Sequence, residues 1–445
     1  MATLEDRDRA VLWHPATHFA DLERLPPIAV ERARGCWLED AAGRRILDAI
    51  SSWWTCIHGH GHPAIAAAVA RQAANLDHVM FAGFTHAPAV ELAEALLAAA
   101  PPGYGRVFYA DCGSAAVEVA LKLSYQRRRQ TGELARTRFA TLTNSYHGET
   151  LGALALCGSG VYRDTFQPLL MDVLELPAPA FPRHPAVPAG DLGADTPEAE
   201  RAVALLAEHA ASLTALVVEP LVQCAGRMAM PGLGFYQKIV KAAQDLGIDV
   251  IADEIAVGFG RTGRLFASAW APGLRPDFLC LSKGLAGVLP LAAVLIREGF
   301  EDAFTGSPAR SFLHSHTFTA NPIACAAALA GLALLGPGQA DGLLARLPAR
   351  VTAMARRREA VAAACPAIVA HRQCGMIAAF TVDGERAPAD GRLGLELRAA
   401  ALARGVLLRP LHDTVYWLPP LVIADDELDT LAHATVAAID AVLGR

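Results

Sequence analysis

Between about residue 105 and residue 300, short apolar runs alternate with longer stretches of helical period. The runs 106–109 (RVFY), 139–142 (FATL), 215–218 (ALVV), 249–252 (DVIA), 278–281 (FLCL) and 291–295 (LAAVL) have the length of strands. Segments 115–129 and 234–246 repeat their apolar positions at helical spacing. That order gives a mostly parallel sheet, because each parallel pair needs a crossover and the crossover helices cover both faces. The expected fold is α/β: a large domain over 66–335 and a smaller α+β domain over 336–445. The segment 1–65 is expected to serve the small domain and the active site, although its WLED and ILD strand signals fit either lobe. The small domain shows strand signals at 377–380 (IAAF) and 406–408 (VLL), and the Pro-rich stretch 178–200 reads as a surface excursion.

Composition narrows the function classes. With 53% hydrophobic and 19% charged residues, the chain can bury full cores and is not disordered. A formal net charge of −6 gives no basic face for nucleic acid or anionic membrane. The most apolar helical stretch, 323–336, falls short of the ~18–20 residues of a membrane span. Asn321-Pro322 before it reads as an N-cap followed by proline at the first helical position. The first ten residues are charged, so no secretory leader is expected. Nine scattered cysteines without a CxxC fit free thiols in a reducing cytoplasm.

Three constellations carry chemistry. In Val250-Ile-Ala-Asp253 and Phe278-Leu-Cys-Leu-Ser-Lys283, an apolar strand ends in or just before an ionisable residue. The carboxyl edge of a parallel sheet is where ligands sit. A lysine there loses its proton readily and can act as a nucleophile, and an aspartate beside it can keep a heterocyclic nitrogen protonated. A solvated strand-end ion pair is the plainer reading of the same residues. In Tyr109-Ala-Asp-Cys-Gly113-Ser114, a strand meets a helix start whose free N–H groups suit a phosphate. Ser114 either caps that helix or donates to the anion. Arg409 follows the run 406–408 and is either a fork for a substrate carboxylate or half of a surface salt bridge.

Other patterns mislead. Gly258-Phe-Gly-Arg-Thr-Gly263 matches a dinucleotide fingerprint, but the residues after it are too irregular for the crossover helix, and Asp277 precedes its apolar run instead of ending it. His58-Gly-His60-Gly-His62 lacks a cysteine or acidic partner at metal-site spacing, so no metal is expected. Trp53-Trp54 reads as core packing, or as one indole lining a pocket wall.

Taken together, the Asp253/Lys283 pair, Gly258–Gly263, Ser51-Ser-Trp-Trp54, 78–86 (HVMFAGFTH), 144–148 (NSYHG), 314–322 (HSHTFTANP) and 405–410 (GVLLRP) resemble the fold type I pyridoxal-phosphate enzymes. Within these the chain is similar to the class III aminotransferases over nearly its whole length. The resemblance implies pyridoxal 5'-phosphate as cofactor, bound to Lys283, with Asp253 on the ring nitrogen, Tyr146 stacked on the ring, and Gly113 and Ser114 on the phosphate. Thr317, with His316 beside it, would reach the phosphate of a neighbouring subunit, which implies a homodimer with shared active sites. Trp53, Tyr146, Ser315 and Arg409 would line the substrate site. The match is strongest to the biotin-pathway members, which aminate 8-amino-7-oxononanoate with S-adenosylmethionine or lysine as donor. A broader ω-aminotransferase acting on diamines or β-amino acids is the alternative. Ala16 stands where many relatives carry a tyrosine that helps contact adenosylmethionine, and this opens the question of the donor. The loop after Lys283 is one residue shorter than the common form, and Ser315-His316 replaces a Gly-Pro found in some members.

Overall fold

The computed structural model describes residues 2–158, 160, 162–181, 183–386 and 391–444. The chain divides into two compact units, one formed by Pro63–Val351 with Arg372–Met376, the other by Met1–His62, Thr352–His371 and Ile377–Arg445.

The first unit is built on a seven-stranded sheet: β1 Tyr104–Ala110, β2 Arg138–Leu142, β3 Val173–Leu176, β4 Leu213–Val218, β5 Asp249–Asp253, β6 Phe278–Leu281 and β7 Ala292–Arg297. Their order across the sheet is β1-β7-β6-β5-β4-β2-β3. β2 to β6 pair in parallel, and β7 alone runs antiparallel to its neighbours β1 and β6. The six strands expected from the sequence are present; β3 was not foreseen, because VLEL follows a proline-containing turn and carries a central acid. β4, β5 and β6 are buried along their whole length, so these strands lack polar alternation.

The long helix α1, Gly113–Gln130, covers one face of the sheet. Val117, Ala120 and Leu121 belong to the same buried cluster as Val217, Ile251, Cys280 and Val294. The far end of α1 is tied down by charge. Ser124 Oγ donates to Asp249 at 2.7 Å, and Arg128 and Arg127 reach the same carboxylate at 2.6 and 3.2 Å. Asp249 opens β5, so the lock sits at the amino edge and leaves the helix start at the carboxyl edge. The helices α2, Leu233–Asp245, and α3, Pro322–Leu335, complete the scaffold. Asn321 caps α3 by accepting from Ala324 N at 3.0 Å, with Pro322 at its first position and Gly336 in the left-handed conformation after its end. Among the described residues no helix is long and apolar enough to cross a membrane. Stretch 178–200 contains a two-residue strand, Arg183–His184, and the start of helix Pro197–His209; Pro182 lies outside the described residues.

In the second unit, Val30–Arg34, Trp37–Asp40, Arg45–Asp48 and Val406–Leu407 form one sheet. Leu47 pairs with Val406, so the amino-terminal strands whose lobe was open lie with the carboxyl-terminal residues. Strand Ile377–Val382 pairs antiparallel with Thr414–Trp417, which the sequence reading omitted. Helix α4, Leu393–Leu402, and the final helix Asp425–Leu443 pack against each other.

Removing the Asp249 carboxylate would leave the buried Arg128 guanidinium without its main counter-charge. Breaking one side of a buried ion pair costs ~3–5 kcal/mol. Asp249→Ala is therefore expected to lower the thermal midpoint by several degrees, and a thermal-shift measurement checks this.

Candidate active site

Three parallel neighbours bring three ionisable residues to one edge. β5 ends on Asp253, Glu219 follows the last residue of β4, and Ser282-Lys283 follow the last of β6. Val218 pairs with Ala252 and Cys280 with Asp253, so the three strand ends lie side by side. Asp253 and Lys283 are the two expected from the sequence; Glu219 is not among the expected residues, although Val217-Val218-Glu219 ends an apolar run as Ala252-Asp253 does.

Asp253 is almost fully buried. Its Oδ1 accepts from Ile255 N at 3.0 Å, and its Oδ2 lies 2.7 Å from His147 Nδ1. A carboxylate can only accept there, so Nδ1 carries the proton and His147 fixes the carboxylate in one orientation. His147 Nε2 is buried and has no hydrogen-bond partner among the described residues. His147 is also not among the expected residues, because nothing local in Asn144-Ser-Tyr-His-Gly148 marks its contact with Asp253, 106 positions away.

Glu219 Oε2 accepts from Tyr146 N at 3.1 Å and Oε1 from Cys224 N at 3.0 Å. Burial pushes its pKa up to about 7; His147 opposes the shift, Asp253 reinforces it, and the two N–H donors oppose it. Lys283 moves the other way. Burial lowers its pKa, while Asp253, Cys224 and Glu219 pull it back up. Its backbone is left-handed, with φ at +45°, an uncommon and costly conformation for a lysine, held here by the turn Lys283–Leu285. An amine whose pKa is lowered by burial, beside a fixed carboxylate, is the arrangement needed to bond a carbonyl and move protons.

At the start of α1, Cys112 occupies the capping position, and its side chain makes no cap bond. The first helical bond runs from Ala116 N to Cys112 O, which leaves the N–H groups of Gly113, Ser114 and Ala115 ahead of the ladder. Ser114 lies inside the first turn and is not the cap; its Oγ accepts from Glu149 N at 3.2 Å. A β-carbon on Gly148 would come within 2.1 Å of that Oγ, so only glycine fits opposite Ser114. Tyr146 stands near the same helix start, its hydroxyl donating to Glu149 at 2.8 Å and its ring edge-on to Tyr162 at 5.7 Å. His316 joins this region through Asp111, two residues before Gly113, with Nδ1 2.9 Å from the carboxylate. Ser315 and Thr317 are exposed on the same loop, and no hydrogen bond links either side chain to Ser114 among the described residues.

In the second unit, Ser51–Trp54 have consecutive positive φ values of 49°, 44°, 70° and 76°. The turn is held by Ser51 Oγ to Leu418 O at 2.8 Å, Ser52 Oγ to Asp48 at 2.8 Å, and Trp54 Nε1 to Tyr416 at 3.1 Å. Trp54 is thereby buried, whereas Trp53 is 42% exposed and faces a cavity. The Arg409 guanidinium lies 4.5 Å from the Trp53 ring centre and donates to Ala16 O at 3.2 Å. Among the described residues Arg409 forms no salt bridge.

The misleading patterns resolve as well. Gly258–Gly263 is followed by a short 3-10 turn, Ala267–Trp270, not by a crossover helix. Asp277 accepts from Val250 N at 2.8 Å and pairs with Arg297 at 2.8 Å, on the amino edge of the sheet. No metal-binding cluster of His, Cys, Asp and Glu occurs among the described residues. His60 pairs with Asp48 at 2.8 Å; burial alone would lower its pKa, but Asp48 and Cys56 raise it to about 10.

Residues 19–439 match the family model described as "Aminotransferase class-III". A Geobacter sulfurreducens protein named adenosylmethionine-8-amino-7-oxononanoate aminotransferase is 39% identical, over 99% of this chain and 98% of its own length. A Mycobacterium leprae protein of the same name is 36% identical, over 96% and 95%. Among solved structures, the enzyme of that name from Methanocaldococcus jannaschii superposes with a TM-score of 0.91 at 28% identity, over 99% of both chains. An omega transaminase from Pseudomonas jessenii in complex with PMP gives 0.85 at 28% identity, over 99% and 98%.

Glu219 provides a test of the site's electrostatics. With a folded pKa near 7 and an unfolded one near 4.5, the folded apoprotein binds the extra proton between these values. Stability therefore falls as pH rises through that window. Glu219→Gln removes the titration, so the wild-type midpoint should fall relative to that of the variant from about pH 5 to about pH 8. Melting curves of the apoprotein across that range check it.

Proposed function

The chain belongs to the class III aminotransferases, and from that premise we propose that it transfers an amino group from S-adenosylmethionine to 8-amino-7-oxononanoate, forming 7,8-diaminononanoate for biotin. The relatives named for this reaction match almost end to end, which supports the substrate pair. The single observation that carries the chemistry is the placement of Asp253 and Lys283 at adjacent parallel strand ends, with burial lowering the lysine's pKa.

The residues present fit pyridoxal phosphate. The N–H groups at the start of α1 with Ser114 suit its phosphate, and the buried, His147-oriented Asp253 suits a protonated ring nitrogen. When bound, the cofactor supplies an aldehyde that exchanges amino groups and a ring that accepts electron density from the substrate carbon. Asp253 would keep the positive charge on the ring nitrogen, and His147 holds Asp253 aligned. Lys283 would hold the cofactor aldehyde at rest, and its amine would move the proton between the carbon that bears the amino group and the aldehyde-derived carbon of the cofactor. Tyr146 covers the ring. Trp53 and Arg409 hold the oxo-acid, the indole against its chain and the guanidinium on its carboxylate. Two substrates use the site in turn, so the kinetics are ping-pong.

Two identical subunits complete the enzyme in this reading. Ser315, His316 and Thr317 lie on an exposed loop, with Thr317 free to serve a neighbouring phosphate. The enzyme works in the cytoplasm, in keeping with nine free cysteines.

The purified protein should be yellow, and borohydride should fix the cofactor on the peptide that carries Lys283. A colourless protein without that adduct would overturn the reading. Adenosylmethionine should bleach the colour; bleaching by lysine or a β-amino acid alone would move the donor assignment. Lys283→Ala is expected to keep the cofactor and lose turnover by several orders of magnitude. Arg409→Ala should raise KM for the oxo-acid about tenfold or more while sparing the donor half-reaction, as expected for one lost charge-assisted contact.

A further inference from the structure

The cavity beside Trp53 has a volume of about 500 Å3, and all its lining residues belong to the second unit. Its walls are mainly apolar, with Leu22, Leu25, Pro26, Ile28, Leu402 and Leu407 among them. Two guanidinium groups enter it: Arg409, already described, and Arg398 from α4. Gly394, Arg398 and Leu402 recur every four residues, so one face of α4 looks into the cavity with an arginine at its centre.

Arg398 makes no hydrogen bond or ion pair among the described residues, and its Nε is buried without a partner. The neighbouring carboxylates are already engaged. Asp21, which also lines the cavity, pairs with Arg392, and Glu396 pairs with Arg24. Arginine cannot shed its proton in a protein. Two like charges on one apolar cavity, with the nearby acids taken, are relieved only by an incoming anion.

We propose that Arg398 is a second carboxylate-binding arginine, acting with Arg409 on the anionic end of an aliphatic acid whose chain lies along the apolar wall. Burial, with Arg409 adding to it, lowers the pKa of Arg398, the direction expected of a cation awaiting its partner. The inference rests on the reading under Proposed function only for the identity of the acid.

Calorimetric titration of the holoenzyme with octanoate tests the site apart from turnover. Affinity should fall about tenfold in Arg398→Gln and in Arg409→Gln, the loss of one charge-assisted hydrogen bond. Arg398→Lys, at an unchanged thermal midpoint, should restore it to within about threefold, because the charge remains. KM for 8-amino-7-oxononanoate should rise in parallel in Arg398→Gln, with the donor half-reaction unchanged. Unaltered octanoate affinity in Arg398→Gln overturns the assignment, as does no octanoate binding by the wild type. Equal loss in the glutamine and lysine variants also overturns it, because that marks a packing role. If octanoate binding depends on Arg398 but the wild type does not aminate the oxo-acid, Arg398 keeps its role and the substrate reading fails.

Discussion

Buried charge at the carboxyl edge of a parallel sheet is the constraint around which the first unit is organised. Parallel strands end together, so β4, β5 and β6 deliver Glu219, Asp253 and Lys283 to one place. Charges there are costly unless each is oriented and matched. His147 and Ile255 N hold Asp253, two backbone N–H groups hold Glu219, and the carboxylates in turn temper the lowered pKa of Lys283. The lysine's left-handed backbone belongs to the same arrangement. A strand that simply continued would carry its side chain past the edge, and the turn at 283–285 instead stops it there.

The rest of the unit keeps that edge in register. The lock of Ser124, Arg127 and Arg128 on Asp249 fastens α1 at the opposite edge, and the apolar face of the helix packs on the sheet between. The helix start and the strand ends thus share one scaffold, and the N–H groups of 113–115 and Lys283 are positioned together. In the second unit, a run of left-handed residues does comparable work. Four unfavourable φ values cost ~1–2 kcal/mol each, and side-chain hydrogen bonds to Asp48, Leu418 and Tyr416 hold the turn that buries Trp54 and turns Trp53 outward.

Much of the fold was legible because period and chain order are local properties. The six strands, the cap at Asn321 and the rejection of the Gly258–Gly263 fingerprint all rest on residues within a few positions of one another. The strand at Val173–Leu176 was not legible because its signal is short and interrupted by an acid, and Thr414–Trp417 because nothing local marks its partner. The same limit governed the site. Lys283 and Asp253 stood out by ending apolar runs. His147 and Glu219 gain their roles from contacts with residues 106 and 73 positions away in the chain.

By itself the sequence determined the kind of fold and the strand edge at which Asp253 and Lys283 gather, since these follow from hydrophobic period and from where an ionisable residue interrupts it. Only the tertiary structure decided protonation, orientation and pairing. Whether Ser114 caps or lies inside the turn, which indole is buried, which carboxylate is pushed up, and which arginine of a helix faces a cavity all depend on desolvation and on partners distant in the chain. Those quantities are properties of the folded environment and have no local signature.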